Sequence, residues 1–206
     1  METQLKEKKN LLDIIKSNWK IISGLIFFIL ILISVYSWFE LKSDIKKKNL
    51  SEDYIKAKIL ISQKKDSDAL NILESIINKK DNTYSVLSLN LIIDQELEKN
   101  NQKIIDYFDK VLSIGNLKNE ELDLVKFKKA VYISNQNNEK ELLSLLNPII
   151  NSESVWKAQS TKFLADYYFS KKEYSKADQY YSILLAMENP NIDDKEIKKK
   201  IQTYKK

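Results

Sequence analysis

Histidine, cysteine and arginine are all missing from this 206-residue chain, and glycine and proline occur only twice each. Without histidine or cysteine there is no Cys/His zinc site, no Ser-His-Asp or Cys-His pair and no disulfide. Two glycines, Gly24 and Gly115, cannot build a phosphate-cradling loop. Tight β-hairpins also depend on glycine, so a nearly glycine-free chain rich in Leu, Ile, Lys and Glu reads as all-α. The missing arginine argues against nucleic acid, whose readers cluster that residue. Every positive charge behind the net +5 is lysine, and the excess lies at the ends. Residues 1–39 hold five Lys against three acids, residues 193–206 hold six against three, and the 153 residues between them balance. Carboxylates are the main acid/base groups left, and the candidate pair Asp193/Asp194 sits in a charged tail that reads as a solvated helix end. No enzyme, cofactor, metal or small-molecule substrate is expected.

What the chain does have is one long apolar run, "NWKIISGLIFFILILISVYSWFELKSDIKKK". From Trp19 to Phe39, 21 residues carry a single charge, Lys20, at the edge. A helix of that length spans ~31 Å, the hydrocarbon thickness of a bilayer. Trp19 stands at one end and Tyr36 and Trp38 at the other, where aromatic rings favour the headgroup level. Gly24, Ser23 and Ser34 are small surfaces for helix packing within lipid. A buried core helix would need a larger protein around it. Val35 and Ser37 could flank a signal-peptidase cut, yet the leader is long and acid-containing, and the run exceeds the usual ~7–15 apolar residues. An uncleaved anchor is expected. Its flanks do not orient it: Lys6, Lys8, Lys9, Lys16 and Lys20 balance Lys42, Lys46, Lys47, Lys48, Lys56 and Lys58.

Beyond Lys48, polar punctuation at residues 64–68, 78–82, 98–102, 115–119, 135–139, 151–154 and 170–174 separates short runs with apolar spacing of three and four. Asp68, Asn82 and Asn138 are candidate N-caps, and Pro148 should kink or end its helix. Residues 160–190 resemble a tetratricopeptide repeat: Leu164, Ala165 and Tyr168 in one helix, then Tyr174, Ala177, Tyr181 and Leu184, with Pro190 near the end. Weaker copies run through Ala57, Leu60, Ala69, Leu73 and Ile76; Ile92, Ile104, Phe108 and Val111; and Ala130, Ile133, Leu142, Leu146 and Ile149. First anchors at 57, 92, 130 and 165 give spacings of 35, 38 and 35, near the ~34 of that repeat. Lys56 and Lys129 stand where the motif wants core residues.

The expected fold is therefore all-α, a transmembrane helix followed by a short tetratricopeptide-like helical-pair solenoid. It divides into an N-terminal arm (1–18), the span (19–39), a juxtamembrane helical linker (40–49), a repeat domain of about four pairs (50–192) and a basic cap or tail (193–206). The repeat register turns Tyr54, Lys58, Leu89, Ile93, Phe127, Val131, Lys162, Asp166 and Phe169 toward a candidate peptide groove.

This layout, with Trp19–Trp38 and the last unit Leu164–Pro190, resembles the YfgM-like ancillary subunits of the bacterial SecYEG translocon. Lys172-Glu173 replaces the Gly-Asp common in that family's last loop. The resemblance implies an inner-membrane, single-pass, non-enzymatic scaffold with a cytoplasmic N-terminus and a periplasmic repeat domain. Its implied partners are translocon subunits, a membrane-anchored peptidyl-prolyl isomerase and exported clients passed to chaperones. A tethered adaptor in envelope assembly or cell division has the same layout.

Overall fold

The computed structural model describes residues 18–136, 138–187 and 193–204. The expected N-terminal arm up to Ser17, and Pro190, lie outside the described residues. Within them every regular element is helical. Helix α1 (Trp19–Ser62) runs 44 residues without a break, so the expected span, linker and first repeat helix are one element. Then follow α2 (Asp66–Asn78), α3 (Tyr84–Asp94), α4 (Asn101–Leu112), α5 (Asn119–Ile133) and a 3₁₀ turn (Ser134–Gln136). The chain continues through α6 (Glu139–Ile150), α7 (Lys157–Ser170), α8 (Tyr174–Leu185) and α9 (Asp194–Tyr204). The chain divides into two compact units between Glu52 and Asp53.

In the second unit each helix from α2 to α8 packs on its neighbours in sequence, α2 also touches α4, and α9 packs on α8. Burial repeats with the sequence. Counting from Ala57, Ile92, Ala130 and Ala165, the residues 12, 16 and 19 positions on are Ala69, Leu73 and Ile76; Ile104, Phe108 and Val111; Leu142, Leu146 and Ile149; and Ala177, Tyr181 and Leu184. All sixteen are buried. Small residues at Ala165 and Ala177 let α7 and α8 approach, and the rings of Tyr168 and Tyr181 fill the adjacent space, both at most 2% exposed. Tyr168 stacks on Tyr180 with ring centres 5.8 Å apart.

Helix ends follow local chemistry, with corrections to the sequence reading. Asn138 caps α6 as expected, accepting from the Glu141 N–H at 3.2 Å. Asn82 does not cap α3; the buried Asp81 accepts from the N–H groups of Thr83 and Tyr84 at 3.0 and 2.8 Å. Asp68 lies inside the first turn of α2, which begins at Asp66; both acids there complement the helix dipole. Pro148 does not end α6, which continues to Ile150. It falls in the last turn, where its missing N–H removes a single bond.

Scarcity of glycine is visible in the backbone. Lys64, Lys80, Glu96 and Lys172 have φ of 59°, 51°, 50° and 61°. Each sits just past a helix, where a left-handed residue turns the chain and its N–H reaches back to the last turn. After α7, Lys172 and Glu173 donate to the carbonyls of Phe169 and Tyr168 at 3.0 and 2.9 Å. A lysine holds that conformation at a cost of about 1 kcal/mol that glycine avoids. Lys172→Gly is therefore expected to raise the thermal midpoint by about 3 °C in a melt of the full chain, whereas Lys171→Gly, at a φ of -81° that needs no glycine, should lower it.

Candidate interaction surface

The proposed groove residues divide by environment. Leu89 is 1% exposed and belongs to the core, offering no surface. Tyr54 is half-buried, its ring centre 6.2 Å from that of Tyr84; burial and then Asp94 push its hydroxyl pKa up. Lys58 is exposed, and Ile93 is half-buried. Phe127 is half-buried between rings on α7 and the preceding loop, stacked on Trp156 at 6.0 Å and edge-on to Phe163 at 5.9 Å. The indole N–H of Trp156 in turn donates to the Glu120 carbonyl at 3.1 Å. Val131, one turn beyond Phe127, is 41% exposed. Phe169 is half-buried, with its ring centre 5.8 Å from that of Tyr174.

Lys162 and Asp166 are brought together, 2.7 Å apart one turn along α7. Asp166 also accepts from Tyr181 of α8 at 2.5 Å and from Lys200 of α9 at 2.8 Å. The C-terminal segment, expected as a basic cap or tail, is a helix docked on α8, with Ile197 only 1% exposed beneath it. Burial works against the Asp166 charge, yet the bonds from Lys162, Lys200 and Tyr181 outweigh it and hold the carboxyl below its ordinary 3.8. Similarly, Glu139 is held below 4.5, first by Lys176 and then by Tyr168.

The sign of the pH effect follows. Groups whose folded pKa is depressed contribute stability above the unfolded values of 3.8 and 4.5, and that contribution is lost as pH falls through the folded values. The thermal midpoint is expected to drop between pH 5 and pH 3, and Asp166→Asn should flatten part of that drop. An unchanged slope in the variant would contradict the assigned role of Asp166.

Lys129, the misfit of the third unit, is 5% exposed. Its ammonium lies 2.7 Å from Asp109 on α4 and 2.8 Å from Glu141 on α6. Burial lowers its pKa, and the two carboxylates more than reverse this, leaving it raised. Sequence alone gave no sign of these partners, which lie on different helices. Nor did it single out Trp156, Phe163 or Lys200. Near the Trp156–Glu120 contact lies a cleft of about 420 Å³ between the start of α5 and the α6–α7 loop. Its wall mixes Glu120, Asp123, Lys126 and Glu153 with Leu122, Pro148 and Val155; Val155 is 67% exposed.

Helix α1 carries the other candidate surface. An 18-residue window of this helix has a mean hydropathy of 2.4, and none of it is buried by the chain. Trp19 and Trp38, the expected interfacial rings, are 65% and 53% exposed, and a side chain at Gly24 would meet nothing within 4 Å. Comparison with protein-family models, with curated proteins and with solved structures finds no match to this chain.

Proposed function

We propose that this protein is a membrane-tethered, non-enzymatic interaction scaffold. Helix α1 anchors it, and the four helical pairs stack as a short tetratricopeptide-like solenoid that receives a segment of a protein partner. The observation that carries this reading is that no part of the apolar window of α1 is buried within the chain. So long an apolar run left in water would be strongly unfavourable, and a bilayer removes that cost. Tethering then raises the effective concentration of the body beside any membrane partner. By its resemblance, the partner is the Sec translocon, and the role is hand-over of exported proteins to periplasmic chaperones.

Photo-crosslinkers at Leu25, Leu30 and Val35 in native membranes test the partner. Capture of translocon subunits supports the secretion role; capture of cell-wall synthases or outer-membrane assembly factors instead favours the envelope-adaptor role. A reporter fused after Lys206 is expected to be active only outside the cytoplasm, and activity inside it would remove the translocon role. Val131→Asp tests the groove. It is expected to weaken partner capture about tenfold, the loss typical of a contact residue, while leaving the thermal midpoint unchanged.

A further inference from the structure

The eleven residues of α9 are polar apart from Ile197, Ile201 and Tyr204. A helix that short is marginal by itself in water, so its order comes from what it rests on. Ile197 is 1% exposed and Ile201 is half-buried, and both join the apolar cluster of Tyr181 and Leu184. Beside them Lys200 reaches Asp166 at 2.8 Å, and Glu196 lies 2.9 Å from Lys200 and 4.0 Å from Lys162. Lys195, Lys198 and Lys199 are exposed. Glu196, Ile197, Lys200 and Ile201 thus form the one face with which α9 docks. Lys162 and Asp166, which receive that face, are also two of the candidate groove residues. One unit earlier the register position of Asp166 is Val131, which is 41% exposed although two further helices follow it. Stacking of the next helix therefore leaves this position open. At the fourth unit, α9 occupies it.

We propose that α9 is a built-in competitor for the groove, holding the site at Lys162 and Asp166 until an amphipathic helix of a partner protein replaces it. The inference rests on the body being an interaction scaffold. The seated segment shows the chemistry of the occupant. It brings an aliphatic residue to the apolar cluster, a lysine three positions on to Asp166, and a second aliphatic residue next to that lysine. That is helix-in-groove recognition, with anchors three and four residues apart. Displacement requires a weakly held element. Helix α9 buries one side chain fully, against four anchors in each complete unit. Its ion pairs with α7 are partly solvated, and such pairs contribute little. Elements with few buried contacts open first. While α9 is seated, a partner's apparent affinity falls in proportion to the fraction of chains whose site is free. A partner helix with a longer apolar face overcomes that reduction.

The test uses the full-length protein in detergent and a fluorescent synthetic peptide of residues 193–206. Ile197→Asp unseats α9 and is expected to tighten peptide binding at least about tenfold over the wild-type chain. That is the gain when a site free in about a tenth of chains becomes free in all. In the Ile197→Asp background, Asp166→Asn should weaken the peptide about tenfold, the loss of one charged hydrogen bond. Lys200→Gln in the full chain, which leaves Ile197 in place, should give a smaller gain than Ile197→Asp. Equal affinity of the wild-type and Ile197→Asp chains, or a peptide indifferent to Asp166, overturns the competitor role. So does a body that unfolds in Ile197→Asp, read by circular dichroism, because α9 is then an obligate part of the core. In native membranes a photo-crosslinker at Val131 separates the two levels. A captured protein whose yield rises with Ile197→Asp and falls when the peptide is added fits the competition. Equal capture by the two chains keeps the scaffold and loses the competitor, whereas no capture by either loses both.

Discussion

Truncating Tyr181 to alanine is expected to destabilise the helical body by about 4 kcal/mol, the loss typical of a large aromatic removed from a close-packed core. Tyr181 is fully buried, between the small residues that let α7 and α8 approach. Its hydroxyl donates to Asp166, which also receives Lys162 and Lys200. Truncation therefore leaves a cavity and strips one donor from a partly buried carboxylate. A body of this size should lose roughly 12 °C in thermal midpoint, read by circular dichroism of the full chain in detergent. Tyr181→Phe separates the two contributions. It keeps the ring and removes the hydrogen bond, so a loss of about 1–2 kcal/mol is expected. If alanine and phenylalanine cost the same, the packing account of the repeat register is wrong.

The second large effect concerns the span. Placing Ile29→Arg and Leu32→Arg together near the middle of the apolar window is expected to cost about 6 kcal/mol of membrane insertion. The protein should move from the carbonate-resistant pellet to the supernatant. Because the chain buries none of that window, the body should keep its stability within about 0.5 kcal/mol, as surface substitutions usually do. A buried core helix predicts the reverse, an unfolded body. A cleaved signal predicts a mature chain lacking Trp19, which an intact mass measurement detects.

Much of this was legible in the sequence, for a local reason. A helix is written in spacings of three and four, and a span in the length of an apolar run. Both survive without knowledge of any partner. Ala57, Ile92, Ala130 and Ala165 could therefore be located as anchors before their burial was seen. The groove was less legible. The spacing that placed Leu89 on the right helix could not say that its side chain is covered, since coverage depends on what the neighbouring helices present.

Lys129 shows the boundary clearly. In sequence it was a charge at a core position, an apparent flaw in the third unit. In the structure it is held by Asp109 and Glu141, carboxylates contributed by the helices on either side. Lys172 is similar: a lysine in a polar turn of the sequence becomes a residue held at φ 61° in the structure. The C-terminal lysines, read as a basic cap or tail, include Lys200, paired with Asp166 34 residues earlier.

By itself the sequence determined the helical class, the long apolar run with its aromatic ends, and the spacing at which buried residues recur, because each depends on residues within a few turns of one another. Only the tertiary structure decided which charges are paired, which anchors are covered and that α9 docks on the last pair. Those outcomes depend on side chains 12 or more residues apart meeting across helix faces, and no local pattern records them.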